Sequence, residues 1–444
     1  MPDKEIILEP NKTYSFPKVI DYESIDNKYL VISRLTANWL LFDKKVQLDI
    51  FLYLLKQHTI AQCFEKFGKN NQKDILKVLT EITAKHFEDK SVNYPQRCGM
   101  YIYLTNNCNQ RCNHCYMFAG NKFENELSTS EIKSLLDDFS KYGGLAVTFT
   151  GGEASTRQDF VEIIIYAKKL GLITGVLTNG ILCDVDFVHS IKPYIDEVQI
   201  SIDGYDAETY KFVRNCDGFD KALAAVDNFV AAGIRTTVAI TPLAETLLAN
   251  TNGYLIFAKE LMQRYNDSQF FIRFNTELIY GRNVQPTDEE NDAYRLAIKK
   301  IQDEFSPLSK IQGFALDHIN NTVFDNCGYG GLTVAANGDV YFCNLINNCK
   351  VQGNIRNDSF REILVMSDKA RKQADISNLY PCNKCSLQYI CGGGCRIKEF
   401  PDVVDIDFAS TNKIKKVKRL HSCTQEQKKR ILQMMISSNK YMYR

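Results

Sequence analysis

The segment Tyr101-Ile-Tyr-Leu-Thr105-Asn-Asn-Cys108-Asn-Gln-Arg-Cys112-Asn-His-Cys115 is a strand pattern that runs directly into three cysteines. Three thiolates on one short loop can hold three corners of a 4Fe–4S cluster and leave the fourth iron open for another ligand. A structural site normally takes four protein ligands, so a set of three indicates a reactive centre. A zinc loop, with His114 as a further ligand, is the alternative that this spacing leaves open.

Strand patterns alternate with helical patterns from about residue 100 onward. The candidate strands are Tyr101–Thr105, Leu145–Thr150, Ile173–Leu177, Glu197–Ile202, Arg235–Ile240 and Phe270–Phe274. Such alternation predicts βαβ units and a parallel sheet, which is an α/β fold. Six units are fewer than the eight of a closed barrel, so we predict a partial, TIM-like (β/α)6 barrel over residues 99–310.

A second motif, Thr150-Gly151-Gly152-Glu153, ends the second strand pattern. Paired glycines allow a ligand to approach the backbone closely. Ligands bind at the carboxyl ends of strands in α/β sheets, where Glu153 could accept hydrogen bonds from an ammonium group. An ordinary strand-to-helix turn is the alternative. The position of the motif, one βα unit after the cysteine loop, favours a binding site.

The two flanking regions have different characters. Residues 1–95 show two strand patterns followed by three short helical patterns, which predicts a small winged-helix-like domain. Residues 315–444 contain a hairpin at Leu332–Cys343 with Asn337-Gly338 at its turn, followed by short Gly-rich and Cys-rich stretches. Such a region has little core of its own, so we expect metal clusters to organise it.

The composition limits the class of protein. The chain has 444 residues and fifteen cysteines, an odd number that cannot all pair as disulfides. Because the N-terminus resembles no export signal, we expect a cytoplasmic protein with metal-binding thiols. Lys and Arg number 54 against 53 Asp and Glu, and no apolar run reaches the roughly 18–20 residues that span a bilayer. We therefore expect neither a nucleic-acid nor a membrane partner.

Together these motifs resemble the radical S-adenosylmethionine (AdoMet) superfamily over about residues 99–305, with Thr178-Asn179-Gly180 after the third strand and Ser201-Ile-Asp203-Gly204 after the fourth. The resemblance implies that Cys108, Cys112 and Cys115 hold the catalytic cluster and that AdoMet chelates its open iron. It also implies the AdoMet contacts: Gly151, Gly152 and Glu153 at the amine, Tyr116 at the adenine, Ser201 at the ribose or carboxylate, and Arg214 at the carboxylate. The family usually has Arg-Gly where this chain has Arg214-Asn215.

The later cysteines resemble the SPASM extension of that superfamily, which carries two auxiliary 4Fe–4S clusters. By this resemblance, three irons of one cluster are bound by Cys327, Cys343 and Cys395. The other cluster is bound by Cys382, Cys385, Cys391 and Cys423. The motif does not supply an eighth ligand; Cys349 is a candidate, and an open iron that binds substrate is the alternative. Structural zinc knuckles are another interpretation of the same cysteines.

The first 95 residues resemble, by pattern, the small peptide-binding domain related to the pyrroloquinoline-quinone biosynthesis D protein. In that family a leader peptide adds as a strand to the edge of the sheet. A domain that merely packs on the barrel is one alternative. DNA binding is another, and the absence of a concentrated basic stripe disfavours it.

These resemblances imply an oxidoreductase that cleaves AdoMet to a 5′-deoxyadenosyl radical and oxidatively modifies or crosslinks a ribosomally made precursor peptide. Three 4Fe–4S clusters, a precursor with a leader segment and an electron donor such as flavodoxin or ferredoxin are implied with it. One alternative is an enzyme similar to the anaerobic sulfatase maturases, which oxidise Cys or Ser to formylglycine. Those enzymes carry Asp where this chain has Asn344. Another alternative is a non-catalytic, zinc-stabilised peptide-binding protein.

Overall fold

The computed structural model describes residues 8–94, 98–318, 321–324, 327–411 and 413–442. Three regions follow one another along the chain: an N-terminal domain, a central α/β region and a Cys-rich C-terminal region. Residues 95–97, between the N-terminal domain and the central region, lie outside the described residues.

The N-terminal domain is a three-stranded antiparallel sheet, in the order β1-β2-β3, followed by two helices. Its elements are β1 Ile20–Ile25, β2 Lys28–Ser33, β3 Asn38–Phe42, α1 Lys45–Leu55 and α2 Ile60–Ala84. Asp26 and Asn27, both with positive φ, form the tight turn between β1 and β2. A separate hydrophobic core, which includes Val31, Phe51 and Val78, holds the sheet to the helices.

Two details of this domain differ from the sequence prediction. The first strand, β1, is absent from the prediction; it is an edge strand of mixed polar and apolar residues in which Tyr22 and Ser24 are exposed. The predicted second and third helices form the single helix α2. Instead of separating two helices, the polar stretch Gly68–Gln72 lies within this helix, which is kinked at Asn71, whose φ is −130°.

Six parallel strands form the central region at the predicted places, and each pairs with the next. They are β4 Gly99–Tyr103, β5 Ala146–Thr150, β6 Ile173–Thr178, β7 Glu197–Ser201, β8 Arg235–Ile240 and β9 Phe270–Phe274. The prediction of an α/β fold with a parallel sheet is therefore confirmed.

Helices connect these strands. They are α3 Thr129–Lys141, α4 Phe160–Lys169, α5 Val185–Ile191, α6 Ala207–Arg214, α7 Phe219–Ala231, α8 Ala244–Ala249, α9 Thr251–Arg264 and α10 Asp288–Phe305. A capping box formed by Ser128 and Glu131 begins α3, and the side chain of each residue accepts a hydrogen bond from the backbone N–H of the other. Within the described residues, no helix combines the length and the apolar character that crossing a membrane requires.

The C-terminal region extends the central sheet. Its elements are α11 Pro307–His318, β10 Leu332–Val334, β11 Asp339–Tyr341, β12 Gly353–Asn354, α12 Phe360–Ala374, β13 Leu379–Tyr380, α13 Gln388–Cys391, α14 Arg396–Glu399, α15 Pro401–Val404, β14 Val417–Lys418 and α16 Gln425–Ser438. The predicted hairpin is present, with Gly338 at φ 89°. Strand β10 pairs in parallel with β4, so the sheet has nine strands and ends at β12 and β9.

The C-terminal region contains more apolar core than its sequence pattern predicts. Apolar side chains from α12, α15 and α16 join the same core as the central sheet, and Phe360, Val403 and Met435 are among them. The N-terminal domain also packs against it. Glu23 on β1 accepts hydrogen bonds from Ser386 (2.5 Å) and Lys428 (2.7 Å).

Candidate functional site

A cavity of about 480 Å3 opens at the carboxyl ends of the central strands. The loops that follow β4, β5, β6 and β7 all contribute to its lining, as expected for ligand sites in α/β sheets. The Cys-rich region lines it as well, through Asn344, Leu345, Cys395 and Lys398. The structure thus brings two separately predicted sets of residues to one space.

The three cysteines after β4 lie on one wall of this cavity, where all three are half-buried. Burial raises the pKa of the Cys108 thiol and raises that of Cys112 to about 11. Without a metal these two groups are therefore neutral thiols at pH 7. Bound iron would favour the thiolates, because only the thiolate is a ligand.

Two glycines after β5 allow the backbone of the cysteine loop to approach. A Cβ on Gly152 would lie 2.3 Å from the carbonyl oxygen of Asn107, and one on Gly151 would lie 2.5 Å from that of Thr105. The N–H of Gly152 donates to the Thr105 carbonyl and that of Glu153 to the Asn107 carbonyl, both at 2.7 Å. In the structure, then, the glycine pair holds the two loops together, in addition to lining the cavity.

Glu153 is 1% exposed and its carboxylate is already engaged. One oxygen accepts hydrogen bonds from the hydroxyls of Ser155 (2.6 Å) and Thr178 (2.8 Å), and the other accepts from the N–H of Asn179 (2.7 Å). These bonds fix the carboxylate at the cavity wall, where its remaining lone pairs are available to a ligand.

A buried ionic network lies behind the cysteine loop. Arg214 donates to Asp203 (2.8 Å) and to Gln110 (2.7 Å), and His114 lies 3.1 Å from Asp203. Burial opposes ionisation of Asp203, but Arg214 and His114 hold the pKa of its carboxyl at about 2. Arg214 lines the cavity, yet its guanidinium already serves to anchor the loop.

Tyr116 and Ser201 also line the cavity. The Tyr116 hydroxyl bonds that of Tyr103 (2.7 Å), which in turn donates to the carbonyl of Asn344 (2.5 Å). Burial raises the pKa of Tyr116 to about 12, so it is a neutral phenol. Tyr116 therefore links the cysteine loop to the Cys-rich region.

Three residues that support the loop are absent from the sequence prediction. Gln110 accepts a hydrogen bond from Arg214, and Asp203 forms an ion pair with Arg214. Arg282 donates to the carbonyls of Cys112 (3.2 Å) and Ala119. Asp203 stands in a motif quoted for the family, so a signal existed. Arg282 follows β9, far along the chain, and no local pattern marks it.

Four thiols converge in the first auxiliary set. The Cys327 thiol interacts with that of Cys395, and the Cys343 thiol interacts with that of Cys349. Cys349 also interacts electrostatically with both Cys327 and Cys395. Cys349 therefore lies near the three cysteines predicted for this set.

The second auxiliary set is Cys382, Cys385, Cys391 and Cys423. Each of Cys382 and Cys391 interacts electrostatically with the other thiols near it, Cys385 and Cys423 included. Arg419 lies 3.7 Å from the Cys382 sulfur. Cys423 is exposed, whereas the other fourteen cysteines of the chain are buried or half-buried.

The donor sets suit clusters better than single ions. Among the described residues, no three His, Cys, Asp or Glu side chains are close enough to hold one metal ion. A cubane spreads its thiolates over several irons and needs a wider arrangement. All fifteen cysteines are free of disulfides, as cluster ligation requires.

Comparison with known proteins finds two family matches. Residues 102–247 match the radical SAM superfamily, and residues 326–386 match SPASM, an iron–sulfur cluster-binding domain. The solved structure of polyhistidine-tagged anSMEcpe with bound AdoMet has a TM-score of 0.57 and 16% identity, covering 77% of this chain and 94% of that one. At this identity the likeness shows the fold alone.

The chain is also similar in sequence to two named enzymes. Fe-coproporphyrin III synthase of Methanosarcina barkeri is 36% identical over 332 residues, which is 66% of this chain and 82% of that protein. Mycofactocin maturase MftC of Mycobacterium tuberculosis is 28% identical over 316 residues, which is 67% of this chain and 78% of that protein. Because the chain matches both domains and is 36% identical to a relative of which it covers 82%, it belongs to the radical SAM superfamily and is a radical SAM enzyme with a SPASM domain.

Proposed function

We propose that this enzyme oxidatively modifies or crosslinks a ribosomally made precursor peptide. The observation that carries the proposal is the N-terminal three-stranded sheet. It has its own core, and it packs on the Cys-rich region instead of joining the central sheet. An edge strand of such a sheet can receive an extended leader segment. The likeness to a mycofactocin maturase supports a peptide substrate.

The proposed cofactors are AdoMet and three 4Fe–4S clusters. The first cluster would be held by Cys108, Cys112 and Cys115. The second would be held by Cys327, Cys343, Cys395 and Cys349, and the third by Cys382, Cys385, Cys391 and Cys423. Inclusion of Cys349 rests on its contact with Cys343 and leaves that set closed, with no iron free for a substrate ligand.

When bound, the first cluster and AdoMet supply a 5′-deoxyadenosyl radical, which abstracts hydrogen from the substrate. The protein residues bind and orient. Glu153, Gly151 and Gly152 would face the AdoMet amine, Tyr116 the adenine, and Ser201 the ribose or carboxylate. Arg214 would bind the AdoMet carboxylate only through guanidinium N–H groups that do not already donate to Asp203 and Gln110.

The auxiliary sets would carry an electron away from the substrate radical. Cys395 lines the cavity, so a cluster there adjoins the substrate. The substrate would then lose one hydrogen atom, which forms 5′-deoxyadenosine, one electron, which the cluster would accept, and one proton, which is released to solvent. An electron donor such as flavodoxin or ferredoxin would supply the first reduction, and a reducing cytoplasm would keep the fifteen thiols free.

A tetrapyrrole substrate is the second candidate, because the chain is 36% identical to Fe-coproporphyrin III synthase. A formylglycine-generating activity is less well supported. Asn344 lines the cavity at the position where the sulfatase maturases have Asp, and an amide cannot act as a base. A zinc-stabilised binding protein would need sites for single metal ions, and the described residues contain no such site.

A side-by-side assay tests these candidates. Anaerobically purified enzyme, AdoMet and reductant are incubated with a precursor peptide encoded beside the gene, or with iron coproporphyrin III. Mass spectrometry of the peptide and the optical spectrum of the porphyrin are then compared. We expect loss of hydrogen from the peptide together with 5′-deoxyadenosine. A change in the porphyrin alone would refute the peptide proposal.

A further inference from the structure

The surface near Cys423 carries a strong local charge. Between positions 411 and 430 there are eight Lys and Arg residues against a single Glu, although the whole chain has a net charge of only +1. We call the exposed members of this group the basic rim: Lys413, Lys415, Lys416, Lys418, Lys429 and Arg430.

Most of these charges are not neutralised within the protein. Lys416 donates to the carbonyl of Ser377. That acceptor is neutral, and no member of the basic rim has an ion pair with any residue in the described part of the chain. Neighbouring basic residues are different, because Lys428 pairs with Glu23 and Arg419 with Glu399. The rim therefore presents an uncompensated positive field to solvent.

The basic rim borders the second auxiliary cysteine set. Lys418 on β14 pairs with Tyr380 on β13, two residues before Cys382. Cys423 itself stands between Arg419 and helix α16, which carries Lys429 and Arg430. None of the four cysteines in this set lines the central cavity, whereas Cys395 of the first set does. The second set therefore lies toward the surface and the first toward the substrate.

We propose that the basic rim is the docking surface for an acidic one-electron carrier protein, which exchanges electrons with the cluster held by the second set. This rests on the proposed function, because it needs that cluster. In turnover the cluster would pass the electron taken from the substrate to an oxidised carrier, and in the reverse direction a reduced carrier would give one electron to the cluster; no bond is made or broken. Complementary charge accelerates such short-lived encounters without a large interface. Because Cys423 would be an exposed ligand of the cluster, we favour a redox partner. Binding of an acidic peptide would not require an exposed cluster ligand.

Charge reversal provides the test. The rim variant Lys418→Glu/Lys429→Glu is compared with the control Lys169→Glu/Lys221→Glu, which reverses two exposed lysines on α4 and α7. Iron content and visible spectra first establish that both proteins hold their clusters. The probe is an acidic flavodoxin in its two-electron-reduced form, whose flavin absorbance in stopped flow reports the transfer of one electron.

We expect the second-order rate constant of the rim variant to be roughly tenfold below that of the parent at low ionic strength. The difference should disappear near 1 M salt, where the Debye length is about 3 Å. The same slowing is expected in a Cys108→Ala/Cys112→Ala/Cys115→Ala background, in which only the auxiliary clusters accept electrons. The control should match the parent throughout.

Equal rates for parent and rim variant at low salt, with clusters intact, would overturn the docking proposal and leave the proposed function standing. Loss of the slowing in the triple-cysteine background would overturn it too, since electrons would then enter at the first cluster. Weaker precursor binding with normal flavodoxin rates would assign the rim to the peptide instead. Protein without cluster iron would refute both proposals together.

Discussion

Single positions in the loop that follows β5 leave no room for a side chain. A Cβ on Gly152 would meet the backbone oxygens of Asn107 at 2.3 Å and of Asn106 at 2.6 Å. Backbone cannot rotate away as a side chain can. We expect Gly152→Ala to lower the free energy of unfolding by about 2 kcal/mol and to reduce the iron bound by the adjacent cysteine loop.

The measurement is a denaturation curve beside iron analysis on the same sample. The matched control is Gly313→Ala in α11, where an added Cβ would meet nothing within 4 Å. That change should be neutral or stabilise by about 0.5 kcal/mol, because alanine favours helix. Full iron and unchanged stability in Gly152→Ala would show that the two loops can separate without cost.

The proposed function places Cys349 as the fourth ligand of the first auxiliary cluster, and a single substitution tests that assignment. Its thiol contacts that of Cys343 and interacts with Cys327 and Cys395. We expect Cys349→Ala to change the electron paramagnetic resonance spectrum of one auxiliary cluster and to make it sensitive to added thiols, which would occupy the vacated iron. Cys216→Ala, outside all three sets, is the control. Identical spectra for Cys349→Ala and the parent would mean that this cysteine is not a ligand.

Among the larger elements, the N-terminal sheet carries the substrate prediction. We expect deletion of residues 1–95 to weaken precursor binding at least tenfold, while AdoMet cleavage without peptide persists, because the cavity lies in the central region. Binding is measured by fluorescence anisotropy of a labelled leader, and cleavage by 5′-deoxyadenosine. Equal modification of full-length precursor by the truncated enzyme would reduce this domain to a structural role.

Two proline variants then locate the edge that receives the leader. The tight turn at Asp26 and Asn27 sets the register, so the N–H of Tyr22 on β1 and of Leu41 on β3 point away from β2. Tyr22→Pro and Leu41→Pro each remove one outward donor and spare the ladder. If Tyr22→Pro weakens leader binding, the leader adds to the β1 edge; if Leu41→Pro weakens it, the leader adds to the β3 edge. Unchanged leader binding in both variants would exclude strand addition.

Across the whole molecule the prediction concerns cluster number. Anaerobically reconstituted protein should hold three clusters, about twelve irons per chain. The variant Cys108→Ala/Cys112→Ala/Cys115→Ala should hold about eight and should cleave no AdoMet. Iron, sulfide and zinc analysis decides the matter. A zinc content near three per chain with little iron would contradict the cluster assignment.

Coupling between distant clusters gives a second test of the entire assembly. The second auxiliary set would use four cysteines, and none of them lines the cavity, so its proposed cluster would not contact AdoMet. We therefore expect a soluble Cys385→Ala variant to form 5′-deoxyadenosine but little modified peptide. Both products are quantified from one reaction. Full peptide modification would show that this cluster has no part in the chemistry.

Much of this enzyme could be predicted from local pattern. The six parallel strands, the Asn337-Gly338 hairpin and the capping box at Ser128 depend on neighbours within a few residues, and such short-range preferences are visible in the sequence. The spacing of Cys108, Cys112 and Cys115 likewise indicates a cluster loop without any knowledge of the fold.

What the chain alone determined is the identity of its βα units and the order of its cysteine motifs, because these depend on periodicity and spacing. Only the tertiary structure brought Cys349 to Cys343 and Cys395 to the cavity, and placed Arg282 against a loop about 170 residues earlier. It also joined β10 to β4, which makes one nine-stranded sheet of two regions. These contacts arise from packing between segments far apart in the chain, and packing between such segments leaves no local pattern in the sequence.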